Sequence, residues 1–319
     1  MKNMLGIAAL GTAALLTAGL AFAEDVPPFW AYGIPPGPPP AATPAAPDPS
    51  MKHLPGNSLS FTRAQISNGF GPADWYPGDH PPMPPIVAKG KEPAVRACAL
   101  CHYPNGKGRA ENAGVSGLPT AYFIQQMLDF RNDLRNSAES RKANTKAMTA
   151  FAKAMTDDEI KQAAEYFGAI KWTPWIKVVE SKTAPKTRIQ GGLYLALEGD
   201  EKEPLGNRII EVPVNAEATE ILRDPHSGFI AYAPIGSIKK GEALVKAKQC
   251  ALCHGDGLKG LGPLPGLAGR SPSYLMRQMY DMQHGFRKGA WIDLMKPIIA
   301  NLTDQELLEI SAYAAAQTP

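Results

Sequence analysis

Two short segments of this chain have the same five residues, CALCH, at positions 98–102 and 250–254. Each segment places two cysteines three positions apart with a histidine directly after the second, and together they contain all four cysteines of the chain. Thiolates and imidazoles bind metals, and a close pair of thiols can undergo redox exchange or be attached to a cofactor. The repetition therefore predicts two equivalent chemical sites.

Three kinds of chemistry fit a C-x-x-C pair. Zinc sites commonly join two such pairs separated by about 15–20 residues, whereas these pairs lie 152 positions apart. Thioredoxin-like pairs belong to a βαβ unit, and neither segment has such surroundings. A histidine directly after the second cysteine is typical of c-type haem attachment, with thioether bonds to both sulfurs and the imidazole on the iron. We therefore expect two covalently bound c-type haems, and the attachment residues are Cys98, Cys101, His102, Cys250, Cys253 and His254.

A haem iron bound by one histidine has a sixth position that is either ligated or open. Methionine in that position is typical of cytochromes c and raises the reduction potential. Met148 and Met295 occupy equivalent places in what we interpret as loop sequence, so we expect them to be the sixth ligands. Met127 and Met279 recur among apolar residues at helical spacing, which favours packing in the core instead.

The sequence around the two sites repeats together with them. At the same spacing of 152 positions, residues 114–117 match 266–269, and Tyr122 and Gln126 match Tyr274 and Gln278. The register then shifts, because the first copy has five extra residues ahead of its methionine. A repeat of this kind predicts two homologous domains, and their expected ranges are 86–172 and 236–319.

Each domain is predicted to contain three helices. The first leads into CALCH, over 242–249 in the second domain and more weakly over 92–97 in the first. The second has apolar residues at helical spacing. The third begins at Thr156 or Thr303, each followed three residues later by glutamate, which is the pattern of a capping box.

The start of the chain has the composition of an export signal. Residues 1–23 combine an early lysine, an apolar run and Ala-Phe-Ala, which predicts a signal peptide cleaved before Glu24 and a periplasmic location. A retained membrane anchor is the alternative. Later segments are too short or too polar to span a bilayer, so we expect membrane contact only through a partner complex. The net charge of +3 and the absence of a basic run argue against nucleic acid binding.

Two further stretches lie outside the repeated domains. Residues 24–85 are rich in proline and glycine and are predicted to form an extended arm. The arm is either a disordered tether or is held on a folded surface by the aromatic residues within 29–32. Residues 173–235 predict a small β-containing connector, with strand-like pieces at 188–197, 208–212 and 228–233.

The repeated domains resemble class I cytochrome c domains, and the pair resembles the bacterial two-haem cytochromes of the c-four type. The matching residues are CALCH, Gly-Leu-Ala-Gly at 266–269, Tyr-Leu-x-x-Gln-Met at 274–279, and Met295 ahead of Asn-Leu-Thr-Asp at 301–304. The resemblance implies an all-α fold with two cytochrome c domains in tandem and electron transfer in the periplasm between redox partner proteins. It also implies ligand pairs, which are His102 with Met148 and His254 with Met295.

The resemblance has departures as well. In the family a proline before the Gly-Leu-Ala-Gly loop offers its carbonyl to the haem histidine; Pro265 fits that role, but Ala113 stands at the equivalent place. Since such a partner orients the ring, we expect the two haems to differ in potential. The arm and the connector are additions to the family's pattern, so the usual arrangement of the two haems is not assured.

The partner and the type of activity follow less directly from the sequence. Basic residues cluster at 131–146 and at 239–248, which predicts either a solvated face or a docking surface for an acidic redox protein. Two-haem peroxidases and thiosulfate-oxidising cytochromes also have two C-x-x-C-H sites, but an enzyme needs one displaceable iron ligand. Because both domains keep a methionine, the sequence favours an electron carrier. An electron-transfer subunit of a dehydrogenase or oxidase complex is the third hypothesis.

Overall fold

Helices form the two repeated domains, and strands form the segment between them. The structure is a computed structural model that describes residues 26–35, 37 and 48–319, so the predicted signal peptide lies outside the described residues. The α-helices are α1 (Phe29–Tyr32), α2 (Arg63–Ile66), α3 (Pro85–Ala88), α4 (Cys98–His102), α5 (Thr120–Arg131), α6 (Ala143–Ala154), α7 (Asp157–Ala169), α8 (Ala216–Glu220), α9 (Ser237–Ala247), α10 (Ala251–His254), α11 (Pro272–Gln283), α12 (Ala290–Ile299) and α13 (Asp304–Ala316). The strands are β1 (Met51–His53), β2 (Ser60–Thr62), β3 (Ile176–Glu180), β4 (Thr183–Pro185), β5 (Thr187–Gln190), β6 (Leu193–Ala196), β7 (Lys202–Pro204), β8 (Ile210–Pro213) and β9 (Phe229–Ala233).

The last helix of each domain begins at the predicted cap. Thr156 Oγ1 accepts a hydrogen bond from Glu159 N, and the Glu159 carboxylate accepts one from Thr156 N at 2.7 Å. The Thr303 and Glu306 pair repeats both bonds at the start of α13. Each box satisfies amides that have no partner inside the helix, and both predicted capping boxes are therefore confirmed.

The helix predicted ahead of CALCH forms in only one of the two domains. In the second domain α9 ends just before Cys250 and packs on α13, where Gly241 allows the two backbones to meet. In the first domain the prediction for 92–97 is wrong. Lys91 and Val95 instead exchange two backbone hydrogen bonds across a tight turn.

The connector is a small β structure, as predicted. Strand β9 lies between β3, which is parallel to it, and β8, which is antiparallel, while β5 and β6 form a hairpin. The predicted pieces at 208–212 and 228–233 correspond to β8 and β9, whereas the piece at 188–197 is divided into the two strands of the β5–β6 hairpin. Further short strands form at β1, β2, β4 and β7. The all-α class therefore describes the two cytochrome-like domains and not the described chain as a whole.

The arm is held on the folded surface by its aromatic residues. Residues 29–32 form the short helix α1 rather than an extended chain, and Trp30 and Tyr32 are buried. The Tyr32 hydroxyl donates to Asp281 Oδ1 of α11 at 2.8 Å. Of the two alternatives for this stretch, the disordered tether is therefore wrong for residues 29–32. Within residues 26–35, 37 and 48–319, no helix is both long enough and apolar enough to cross a membrane.

Candidate functional site

The first CALCH segment forms helix α4 at the wall of a large cavity. The cavity has a volume of about 460 Å³, within the range of sites that enclose a cofactor. Its lining includes Cys98, Cys101, His102, Met127, Met148 and Met155. The structure thus brings the predicted attachment residues and the predicted methionine of the first domain to one enclosed space.

The two CALCH histidines have the same local geometry. His102 Nδ1 lies 2.8 Å from the Ala113 carbonyl, and His254 Nδ1 lies 2.9 Å from the Pro265 carbonyl. Because a carbonyl can only accept, both rings donate from Nδ1 and present the lone pair of Nε2. Burial lowers the pKa of both imidazoles, which keeps Nε2 available for a metal.

This geometry corrects one expectation from the sequence. Ala113 was expected to deprive the first histidine of its partner, since proline stands at the equivalent place in the second domain. The bond uses a backbone carbonyl, which every residue has, so alanine serves as well as proline. A difference in potential between the two haems therefore needs a cause other than this hydrogen bond.

The four thiols are all available for attachment. Cys98, Cys101, Cys250 and Cys253 are free cysteines, and none of them takes part in a disulfide. Burial raises the pKa of the Cys98 thiol to about 12, and its sulfur lies 3.4 Å from the Ile86 carbonyl. Redox exchange requires a thiolate, so the buried Cys98 thiol does not suit that chemistry.

The methionines lie on helices rather than in loops. Met148 belongs to α6 and Met295 to α12, so the prediction of loop sequence is wrong for both. Alanine-rich sequence over 143–154 favours a helix and explains the first case. Met148 packs against the same core cluster as Cys98, and Met295 against the same cluster as Cys250. Their assignment as iron ligands stays a prediction.

The two domains meet through equivalent arginines that the sequence analysis did not single out as site residues. Arg287 donates to Tyr122 Oη at 2.9 Å and to Gln126 Oε1 at 2.7 Å, both in the first domain. Arg135 makes the matching bonds in the other direction, to Tyr274 Oη at 3.0 Å and Gln278 Oε1 at 2.9 Å.

These contacts follow a local two-fold axis, because each domain offers its arginine to the tyrosine and glutamine of the other. Each arginine also bonds the glutamine of its own domain, at 3.0 Å in both cases. The spacing of 152 positions between Arg135 and Arg287, shared with the CALCH segments, was the signal that could have found them.

The two arginines carry positive charge into the buried contact between the domains. Both guanidinium groups are buried, and their acceptors are neutral hydroxyl and amide oxygens. Burial alone would raise the pKa of Tyr274, but Arg135 and Arg287 outweigh it and lower that pKa below its ordinary value. Arg135 also lines the cavity of the first CALCH segment. A buried cation at the wall of this cavity would fit a carboxylate of a haem.

Two sites that each combine a thiol pair with a histidine held through Nδ1 define a c-type cytochrome with two haem centres. Comparison with known proteins leads to the same class. Residues 87–171 match the family model described as Cytochrome c, and residues 236–313 match the model described as Cytochrome C oxidase, cbb3-type, subunit III. Both matches fall within the predicted domains.

The sequences of several known proteins match one domain of this chain or both domains. A thiosulfate dehydrogenase electron acceptor of Thiomonas intermedia is 25% identical over 228 residues, which is 70% of this chain and 80% of that protein. Cytochrome c4 of Pseudomonas aeruginosa is 40% identical over 83 residues, covering 26% and 39% of the two chains. Cytochrome c-554(548) of Halomonas halodenitrificans is 37% identical over 73 residues, covering 23% of this chain and 88% of the relative. The chain belongs to the cytochrome c family, and it carries two covalently bound c-type haems.

Proposed function

We propose that this chain is an exported electron carrier that accepts electrons from an oxidoreductase and passes them to a second redox protein. The observation that carries the proposal is the equivalence of the two sites, each with a histidine whose Nε2 is free and a methionine at the matching position. Two closed ligand sets suit electron transfer, because neither leaves a position for substrate. Haem supplies the Fe(II)/Fe(III) couple at both sites.

The residues of this chain set the conditions for that couple. The carbonyls of Ala113 and Pro265 hold each imidazole in one orientation and make it a better electron donor. Sulfur in the sixth position favours the reduced state and raises the potential. Apolar side chains of the two core clusters that pack against Cys98 and Cys250, including Phe167 and Met276, would disfavour the extra positive charge of the oxidised state in the same direction.

The choice of Met148 and Met295 over the other methionines rests on position. Three methionines line the first cavity, which are Met127, Met148 and Met155. Met155 aligns with Leu302 and so has no sulfur in the second domain, whereas Met127 is buried on α5 as part of the core. Met148 alone is both partly exposed to the cavity and matched by a methionine on the equivalent helix of the second domain.

The ligand assignment is tested by the weak charge-transfer band that iron–sulfur ligation gives at the red end of the oxidised spectrum. We expect Met148→Ala and Met295→Ala each to remove about half of that band, and the double variant to remove all of it. Met127→Ala is the control and leaves the band in place. A band that is unchanged in either single variant refutes that ligand.

The relatives suggest a donor. Two thiosulfate dehydrogenase electron acceptors, from Thiomonas intermedia and Stutzerimonas stutzeri, match this chain over 80% and 81% of their length. We propose that the donor belongs to the same class of sulfur-compound dehydrogenases. Oxidised protein mixed with thiosulfate should be reduced only when a thiosulfate dehydrogenase is added. Sustained oxidation of thiosulfate or turnover of hydrogen peroxide by this chain alone would favour the enzyme hypothesis instead.

Export is the remaining element of the proposal. The composition of residues 1–23 supports a periplasmic location, where c-type haem attachment and sulfur-compound oxidation would meet. Amino-terminal sequencing of the protein from a periplasmic extract should begin at Glu24. Recovery of a chain that still begins at Met1, in the membrane fraction, would support the retained anchor.

A further inference from the structure

The two identical CALCH segments differ in their exposure. Leu100 of the first is 8% exposed, whereas the equivalent Leu252 of the second is 70% exposed. The second cysteines follow the same trend, since Cys101 is half-buried and Cys253 is exposed. The same five residues therefore lie under cover in one domain and at the surface in the other, so the difference arises outside the segments.

Residues of the arm and of the connector cover the first CALCH segment, and we call them the cover. The Arg223 guanidinium donates to the Leu100 carbonyl and lies 5.6 Å from the centre of the Tyr103 ring. On the arm side, Ala97 N donates to the Gly69 carbonyl at 2.9 Å. Both covering segments are outside the cytochrome-like domains, and the second domain has no counterpart of them among the described residues.

The two covering segments also support each other. Trp75 Nε1 of the arm donates to the Leu222 carbonyl of the connector at 2.7 Å, and Arg63 donates to the Ile221 carbonyl. Trp75, Ile66 and Leu222 form a separate buried apolar cluster. Since the cover has its own core, it is a stable part of the fold rather than a loop resting on the first CALCH segment.

The surface around the second segment has an apolar centre and free positive charge. Leu261 is 57% exposed, and it lies close to the haem histidine because Gly260 N donates to the His254 carbonyl. Lys248 precedes Leu252 and Lys259 precedes Leu261 in sequence. Neither lysine has an ion pair with a described residue, although the charge of Lys248 acts on the Glu306 carboxylate. One carboxylate, that of Asp256, lies in the same stretch. We call Leu252, Cys253, Leu261, Lys248 and Lys259 the CALCH face of the second domain.

The basic cluster of the first domain does not form a comparable surface. Arg135 and Lys142 are buried, which contradicts both the docking and the solvated interpretation for those two residues. Arg131 bonds Asp157 and two carbonyls, and Arg141 pairs with Glu139. Four of the five basic residues at 131–146 are therefore used within the fold, and only Lys146 of this cluster stays exposed without an ion pair to a described residue.

We propose that the redox partner docks on the CALCH face of the second domain, and that the arm and connector close the equivalent face of the first. The occupant is an electron-transfer protein whose contact surface has an apolar centre and a rim of aspartate and glutamate. Exposed leucines would pack at the centre and the unpaired lysines would attract the rim, which gives a weak and salt-sensitive complex. This inference rests on the proposed function as an electron carrier and names the surface it uses.

Binding of a flavodoxin, an acidic electron-transfer protein, to the haem-loaded protein at low ionic strength provides the test. The double variant Lys248→Glu/Lys259→Glu should weaken the complex about tenfold, because rim charges set association. The matched control is Lys146→Glu/Lys171→Glu, which reverses two exposed lysines of the first domain and should leave the Kd unchanged. Leu252→Asp should weaken binding as well, whereas Leu197→Asp on the connector should not.

A second readout does not depend on electron transfer. Flavodoxin should protect Lys248 and Lys259 from acetylation in a footprinting experiment and leave Lys146 reactive. Equal weakening by both double variants, or protection of Lys146 instead, would overturn the proposal. Reversible reduction of both haems by small mediators tests the carrier function separately, so a wrong docking face and a wrong function give different results.

Discussion

The paired arginines at the domain interface lead to a prediction about how the two domains stabilise each other. In Arg287→Met the Tyr122 hydroxyl loses its hydrogen bond, but Gln126 Oε1 keeps the bond from Arg135 at 3.0 Å. Leaving one buried polar group unpaired costs about 1–3 kcal/mol, so we expect each single variant to lose about 2 kcal/mol of unfolding free energy. Arg135→Met should lose a similar amount, because Tyr274 takes the place of Tyr122.

The double variant should cost more than the sum of the two single variants. Each glutamine oxygen accepts from both arginines, so only the double variant leaves both oxygens without a guanidinium donor. We expect a coupling free energy of about 2 kcal/mol from a double-mutant cycle. Guanidinium denaturation of the haem-loaded protein at pH 7 measures it, with Lys171→Met as an exposed control. Additivity within about 0.5 kcal/mol would refute the shared network.

Three further predictions concern the fold around the sites. Gly241→Ala should destabilise the second domain by about 3 kcal/mol in the same denaturation assay, since its Cβ would lie 2.0 Å from a backbone carbonyl of α13; an unchanged midpoint would contradict the close helix contact. Tyr32→Phe should cost about 1–2 kcal/mol and increase proteolysis of the arm, because it removes the bond to Asp281; unchanged proteolysis would mean that the apolar contacts alone hold the arm. The hydrogen bond that His80 donates to the Asp74 carboxylate raises the pKa of His80. The stabilisation from this bond is therefore complete below the ordinary value near 6.5 and is lost as pH rises through the raised native pKa. Stability measured against pH should decline in that range by less than about 1 kcal/mol, and His80→Gln should abolish the decline.

The sites were predictable because covalent attachment fixes a local pattern. Five adjacent residues include both thiols and the histidine, and the repeat identifies two such sites without any knowledge of the fold. The capping boxes were predictable for the same reason, since Thr156 and Glu159 satisfy each other within a single turn. Features that depend on four or five neighbouring residues can be read directly from a sequence.

Features that depend on distant segments could not be predicted in this way. The basic cluster of the first domain has the composition of an exposed face, but Arg135 is buried because its partners Tyr274 and Gln278 come from the other domain. Nothing in the CALCH segments indicates that Arg223, more than 100 positions away, covers the first of them. The helix at 143–154 is an exception, because its alanine-rich sequence favours a helix without any distant partner.

The account depends above all on one haem being attached to each CALCH segment, and the intact mass of the protein tests this most directly. Protein from a host that loads c-type haem should weigh two haem groups more than the polypeptide. The variant Cys98→Ala/Cys101→Ala and the variant Cys250→Ala/Cys253→Ala should each retain one haem, and the combination should retain none. An unmodified mass for the natural chain, or two haems on either double variant, would contradict the account.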